Sequence, residues 1–250
     1  MRFIKGFIMS LGMFSIIPVP KNSWGDKQMP FVMPALPLVG ALIGLGWYGL
    51  SVVMSTLSAP PVISCAIILF IPFILSGFVH LDGYMDTADA VFSRRSLDEK
   101  KLILKDPHTG AFAVIALAVL LILQFCAVYT IIGELKNLLV FAFIPVISRC
   151  IVCIAALNME SVFDSGYNAS FKNGTKPGHT VFICWLLLIC YAAAWFLLGF
   201  AALPLLIGTA VGFFMVCYLY SQFRGISGDL CGCIITVTEL SVLLGMALIS

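Results

Sequence analysis

Residues 108–132 read HTGAFAVIALAVLLILQFCAVYTII. No Asp, Glu, Lys or Arg interrupts this stretch. A helix needs about 20 mostly apolar residues to cross a hydrocarbon core of about 30 Å, and this run is long enough. Comparable runs lie near 31–56, 60–79, 137–157, 180–200, 203–222 and 229–249. Together they predict about seven membrane spans, an all-α polytopic bundle forming one integral membrane domain over 1–250. The composition agrees. Of the 250 residues, 61% are hydrophobic and 10% charged. A soluble domain is about 45–50% apolar and about 25% charged. A soluble globular enzyme, a disordered chain and a nucleic-acid-binding module are all excluded on these figures.

The first 18 residues are too short and too charged to be an ordinary span. Arg2 and Lys5 precede an apolar stretch from Phe7 to Ile17, and Lys21 follows it. No small-residue cleavage site ends the stretch, so it is not read as a signal peptide. It reads as a helix lying in the interface or re-entering it, with the basic residues at the headgroups. The nine cysteines form no pair of C-x-x-C units, and most sit inside apolar runs, where Cys packs as a small apolar residue.

Charge fixes the orientation. Seven spans place the N-terminal segment and the loops 80–107, 158–179 and 223–228 on one side. Twelve of the fourteen Lys and Arg residues then share that side, Lys136 lies opposite, and Arg149 is inside a span. By the positive-inside rule the twelve, and with them the N-terminus, face the cytoplasm of a bacterial inner (cytoplasmic) membrane.

The longest polar connection, 80–107, is where chemistry is expected. It opens His80-Leu81-Asp82-Gly83-Tyr84-Met85-Asp86-Thr87-Ala88-Asp89. On a helix, Asp82, Asp86 and Asp89 stand at i, i+4 and i+7, on one face. Stacked like charges repel, and a hard divalent cation between them removes that cost. The alternative is a solvated acidic face. Acidic groups near membrane depth favour the site. Arg94, Arg95, Lys100, Lys101 and Lys105 are either a basic flank that fixes topology or ligands for a polyanion. Asp106 is either a fourth carboxylate or an N-cap for the next helix. Arg149 and Glu239, inside the fourth and seventh spans, need partners. They pair with each other, or Arg149 meets a substrate phosphate and Glu239 reaches the cavity floor.

These residues resemble the adenosylcobinamide-GDP ribazoletransferases, also called cobalamin-5′-phosphate synthases, along most of the chain. The most specific part is His-Leu-Asp-Gly-x-x-Asp-x-x-Asp at 80–89. Phe92-Ser93, the 97–105 segment and Lys105-Asp106 leading to Gly110-Ala111-Phe112 add to it. A second family signature is written Gly-Gly-x-Thr-Gly-Asp-x-x-Gly-Ala. Here it reads Arg224-Gly225-Ile226-Ser227-Gly228-Asp229-Leu230-Cys231-Gly232-Cys233. Arg224 replaces the first glycine, Ser227 the threonine and Cys233 the alanine. The 158–178 loop departs from the family.

The resemblance implies a Mg²⁺-dependent membrane transferase acting late in cobalamin synthesis. A ribose hydroxyl of α-ribazole, or of its 5′-phosphate, attacks the phosphate that bears the cobinamide of adenosylcobinamide-GDP, and GMP leaves. Asp82, Asp86 and Asp89 would hold the metal, with Asp106 and Asp229 as further candidates. Asp82, Asp86, Asp89 and His80 are the candidate catalytic residues, and Asp86, Asp89 or His80 would deprotonate the hydroxyl. Lys105, Arg149, Gly225, Ser227, Gly228 and Gly232 would bind substrate, the glycines by letting backbone amides approach a phosphate. The expected partners are the two substrates and the lipid bilayer. A homo-oligomer and contacts with other cobalamin-pathway enzymes stay open. Two other readings compete. A CDP-alcohol phosphotransferase fits the spacing poorly. A cation-coupled transporter would place its acids near the midplane rather than at one face.

Overall fold

The computed structural model describes residues 2–20, 24–57, 59–133, 137–163, 171 and 174–249. Lys21, Lys136 and Lys172 lie outside the described residues. The protein is 82% helical, and the described residues form no strand. In chain order the helices are α1 (Arg2–Phe14), α2 (Val32–Thr56), α3 (Pro61–Leu75), α4 (Val79–Phe92), α5 (Leu97–Ile103) and α6 (Ala111–Gly133). They continue as α7 (Val140–Asn158), α8 (Pro177–Leu198), α9 (Leu203–Phe223) and α10 (Gly228–Leu248). The core lies where α2, α7 and α10 meet, and α7 is its most buried helix. Large apolar side chains such as Ile122, Trp185 and Phe196 stay exposed, as a lipid-facing surface requires.

Five helical stretches are long and apolar enough to cross a membrane, six if the bent α3–α4 pair is one span. That count is below the expected seven, and two places account for the difference. First, Pro177–Phe223 counts as one stretch of 47 residues. It nevertheless doubles back at Gly199, where Tyr191 Oη donates to the Leu205 carbonyl at 3.2 Å and pairs with the Thr209 hydroxyl. Second, α3 has 15 residues, about 22 Å of helix, short of the hydrocarbon thickness. After it the chain turns 91° into α4. Gly77 (φ 64°) and Phe78 (φ 61°) both take the left-handed conformation that makes this corner. Gly77 takes it without cost, whereas Phe78 does so against a side-chain penalty.

α1 is a helix of 13 residues packed on α2, too short to cross, as the N-terminal reading expects. All nine cysteines are free thiols. The four segments grouped on one side by charge do gather at one end. Phe3 touches Phe182, and Phe31 touches His179. Lys100 Nζ donates to Gln222 Oε1 at 2.6 Å. Residues 160–162 pair with Ile226 through two backbone hydrogen bonds of 2.8 and 3.1 Å.

Candidate active site

α4 forms as the spacing of its carboxylates expects, so Asp82, Asp86 and Asp89 share a face. It packs between α6 and α10. Two glycines make the α4–α10 crossing close. A Cβ on Gly83 would lie 2.7 Å from Asp229 Cα and 2.7 Å from the Asp229 carbonyl oxygen. A Cβ on Gly232 would lie 2.9 Å from the His80 carbonyl oxygen. Thr236 Oγ1 donates to that same carbonyl at 3.3 Å. The two motifs, some 140 residues apart in sequence, therefore meet backbone to backbone. Asp229 lies within electrostatic reach of Asp86, as do Asp82 and Asp89.

Ser227 is the N-cap of α10. Its Oγ accepts from the Leu230 amide at 3.3 Å and lies 3.4 Å from Asp229 Oδ2. Arg224, at φ 57°, closes α9 in the left-handed conformation. Glycine adopts that conformation at no steric cost, whereas Arg224 carries a side chain in it.

A cavity of about 390 Å³ opens beside the crossing. His80, Asp82, Ser227, Gly228 and Asp229 form its polar wall. Its apolar lining includes Met13, Phe14, Phe163 and Phe171. His80 is buried, and its Nε2 has no hydrogen-bond partner. Buried unpaired polar atoms are uncommon and mark a position where a ligand or water is to be met.

Several expected site residues take other places. A Cβ on Gly225 or Gly232 would meet the backbone of the 161–162 segment and of α4 respectively, so both glycines allow close packing. Gly228 alone faces open space. Arg149 does not reach the cavity. Its Nη1 donates to Glu239 Oε1 at 2.8 Å and to the Pro145 carbonyl at 3.1 Å, and Ser148 Oγ donates to the same Glu239 oxygen at 2.9 Å. Both side chains of the pair are almost wholly buried, with 1% and 5% exposed. This is the structural alternative, an ion pair inside the bundle. Asp106 is in an exposed turn, where it accepts the His108 amide at 3.0 Å and meets the His108 ring at 2.6 Å. Those hydrogen bonds hold its carboxyl below the usual range. It neither caps α6 nor joins the α4 cluster. Asp89 instead lies against Gly110, the next turn of that loop. Lys105 Nζ sits 4.3 Å over the Phe163 ring, at the cavity's apolar edge.

Among the described residues no group of three His, Cys, Asp or Glu side chains is gathered tightly enough to cage a metal. Mg²⁺ does not need such a cage. It is commonly held by one or two carboxylates, waters and substrate phosphates. The hard oxygen donors of α4 and Asp229 fit that mode. Sequence reading missed Met13 and Phe14, because nothing local marks an N-terminal helix as a cavity wall. It also missed Phe163 and Phe171, which lie in the loop that departs from the family.

Fold and site together define a polytopic helical membrane protein with a carboxylate-lined cavity at one end. The family model described as cobalamin-5-phosphate synthase matches residues 6–247. Adenosylcobinamide-GDP ribazoletransferases are among the similar proteins. One from Clostridium perfringens (strain SM101 / Type A) is 33% identical over 99% of both chains. Another from Clostridium botulinum (strain Alaska E43 / Type E3) is 36% identical over 96% of this chain and 95% of the relative. A third, from Geobacillus thermodenitrificans (strain NG80-2), is 30% identical over 92% and 90%. No solved structure matches. The chain belongs to the cobalamin-5-phosphate synthase family.

Proposed function

We propose that the protein transfers the phosphocobinamide group of adenosylcobinamide-GDP to a ribose hydroxyl of α-ribazole or its 5′-phosphate. The hydroxyl oxygen bonds to the phosphorus that carries the cobinamide. The P–O bond to GMP breaks, GMP leaves, and the hydroxyl proton passes to a base. Family membership across nearly the whole chain is the observation that carries this reading. The meeting of the 80–89 and 224–233 motifs at one cavity supports it.

Asp82 and Asp229, which line the cavity, are the first proposed carboxylates for Mg²⁺, with Asp86 and Asp89 behind them on the same helix face. A bound Mg²⁺ supplies charge stabilisation to the phosphate oxygens and the departing GMP. His80 is the cavity-lining group placed to accept the hydroxyl proton, since its Nε2 is buried and unpaired. Gly228 exposes the first amides of α10 toward the anionic substrate. We place the cavity on the cytoplasmic side of the inner membrane, supported by the basic residues gathered at that end. The test is purified protein in lipid, given adenosylcobinamide-GDP, α-ribazole 5′-phosphate or α-ribazole, and Mg²⁺. GMP and the corrinoid product are measured together by mass spectrometry. Equimolar GMP and product support the function. Folded wild type that makes neither with either acceptor refutes it.

A further inference from the structure

The cavity lining holds aromatic rings that the phosphoryl transfer itself does not require. Its polar wall belongs to α4 and α10. The end of α1 and the segment after α7 add aromatic rings to its lining, Phe14, Phe163 and Phe171, with Ser161 beside them. Phe14 stacks on the His80 ring, with centroids 6.2 Å apart and planes 19° from parallel. The end of α1 is fastened there, because the Ile16 amide donates to the Leu75 carbonyl at 3.0 Å. Phe14 is thus held at the cavity beside His80 Nε2, a buried nitrogen that has no hydrogen-bond partner.

Size distinguishes the two substrates. At about 390 Å³ the cavity sits at the low end of small-molecule sites, which span about 300–1,000 Å³. A nucleoside fits that volume. A corrin ring with its amide arms and a guanosine diphosphate is several times larger and must stay mostly outside. The aromatic rings suit a flat, weakly polar base, and the polar lining groups suit ribose hydroxyls and phosphate.

We propose that the acceptor nucleoside binds here, its aromatic base against Phe14 and Phe163 and its ribose toward His80, Asp82 and Asp229. The corrinoid nucleotide then approaches from the open mouth, so only its reacting phosphate enters. This subsite rests on the transferase reading for the identity of its occupant. Phe14, on a helix remote in sequence from both motifs, becomes a determinant of acceptor affinity and not of corrinoid affinity.

The test measures two quantities on lipid-reconstituted protein. One is the Kd of α-ribazole by equilibrium dialysis without corrinoid. The other is the KM of each substrate in turnover. Phe14→Ala should raise the Kd and KM for α-ribazole about 10-fold, the loss typical of one base–aromatic stack, and leave the KM for adenosylcobinamide-GDP within about twofold. Phe14→Trp should restore acceptor affinity. If Phe14→Ala does not fold, Phe14→Leu, which keeps apolar bulk and loses the aromatic face, is read with the same expectation. Unchanged acceptor affinity in a folded variant, or a rise confined to the corrinoid KM, overturns the subsite while wild-type turnover leaves the transferase reading intact. Wild type that binds α-ribazole through Phe14 yet releases no GMP upholds the subsite and overturns the transferase reading.

Discussion

Replacing Gly83 with alanine should cost activity far more than stability. The added Cβ would sit 2.7 Å from Asp229 Cα and from its carbonyl oxygen, where ordinary contact begins at 3.4 Å. Both neighbours are backbone and cannot rotate away. The α4 and α10 backbones must therefore part by about 3.4 − 2.7 = 0.7 Å at the point where Asp82 and Asp229 face the cavity. Overpacking costs about 1–3 kcal/mol, and alanine returns about 1 kcal/mol in helix propensity. The net loss of stability is then about 0–2 kcal/mol. A shift approaching 1 Å in a reacting constellation lowers rates by up to about 100-fold. We expect kcat for GMP release to fall about 10- to 100-fold. The thermal transition should move little, and Gly49→Ala, whose Cβ would meet nothing within 4 Å, should behave as wild type. Gly83→Ala turning over within twofold of wild type would refute the close crossing as the basis of the site.

Arg224→Gly should stabilise the protein by about 0.5–1 kcal/mol, because relief of a left-handed residue costing about 1–2 kcal/mol outweighs the roughly 0.5–1 kcal/mol that glycine's chain entropy costs. A thermal or denaturant midpoint that falls would contradict this. Glu239→Gln should destabilise by about 3–5 kcal/mol, since it leaves the Arg149 charge buried without its partner. Joint replacement of Arg149 and Glu239 by Met and Leu should recover most of that stability and retain activity, whereas a substrate-binding Arg149 would lose activity in the double variant. Asp106→Asn should leave the Mg²⁺ requirement of turnover unchanged, because its carboxylate is engaged with His108 in an exposed turn. A raised Mg²⁺ requirement would return it to the metal set.

Helices read well from the sequence because lipid imposes long uncharged runs, and 111–133 shows no exception. The shared face of Asp82, Asp86 and Asp89 follows from helical periodicity alone. The corner before α4 was not legible. The run 60–79 is apolar throughout, and only Gly77 hints that Phe78 will be forced to a positive φ. Glycines were legible as special but not in their purpose. Gly225 and Gly232 permit close backbone contacts, and that use depends on what lies across from them. Arg149 left two partners open, and only the packing of α7 on α10 selects Glu239. Phe14 is beyond local reading, since its role depends on α1 returning to meet His80.

We propose that two distant motifs build one metal-dependent site at the α4–α10 crossing. The direct measurement is GMP release against Mg²⁺ concentration for wild type, Asp82→Asn, Asp229→Asn and the double variant, each verified as folded in lipid. Each single variant should lose about 100-fold or more in rate, and the double should be no worse than the weaker single, because groups acting as a unit are not additive. Either single variant keeping the wild-type rate and Mg²⁺ response would contradict a shared site.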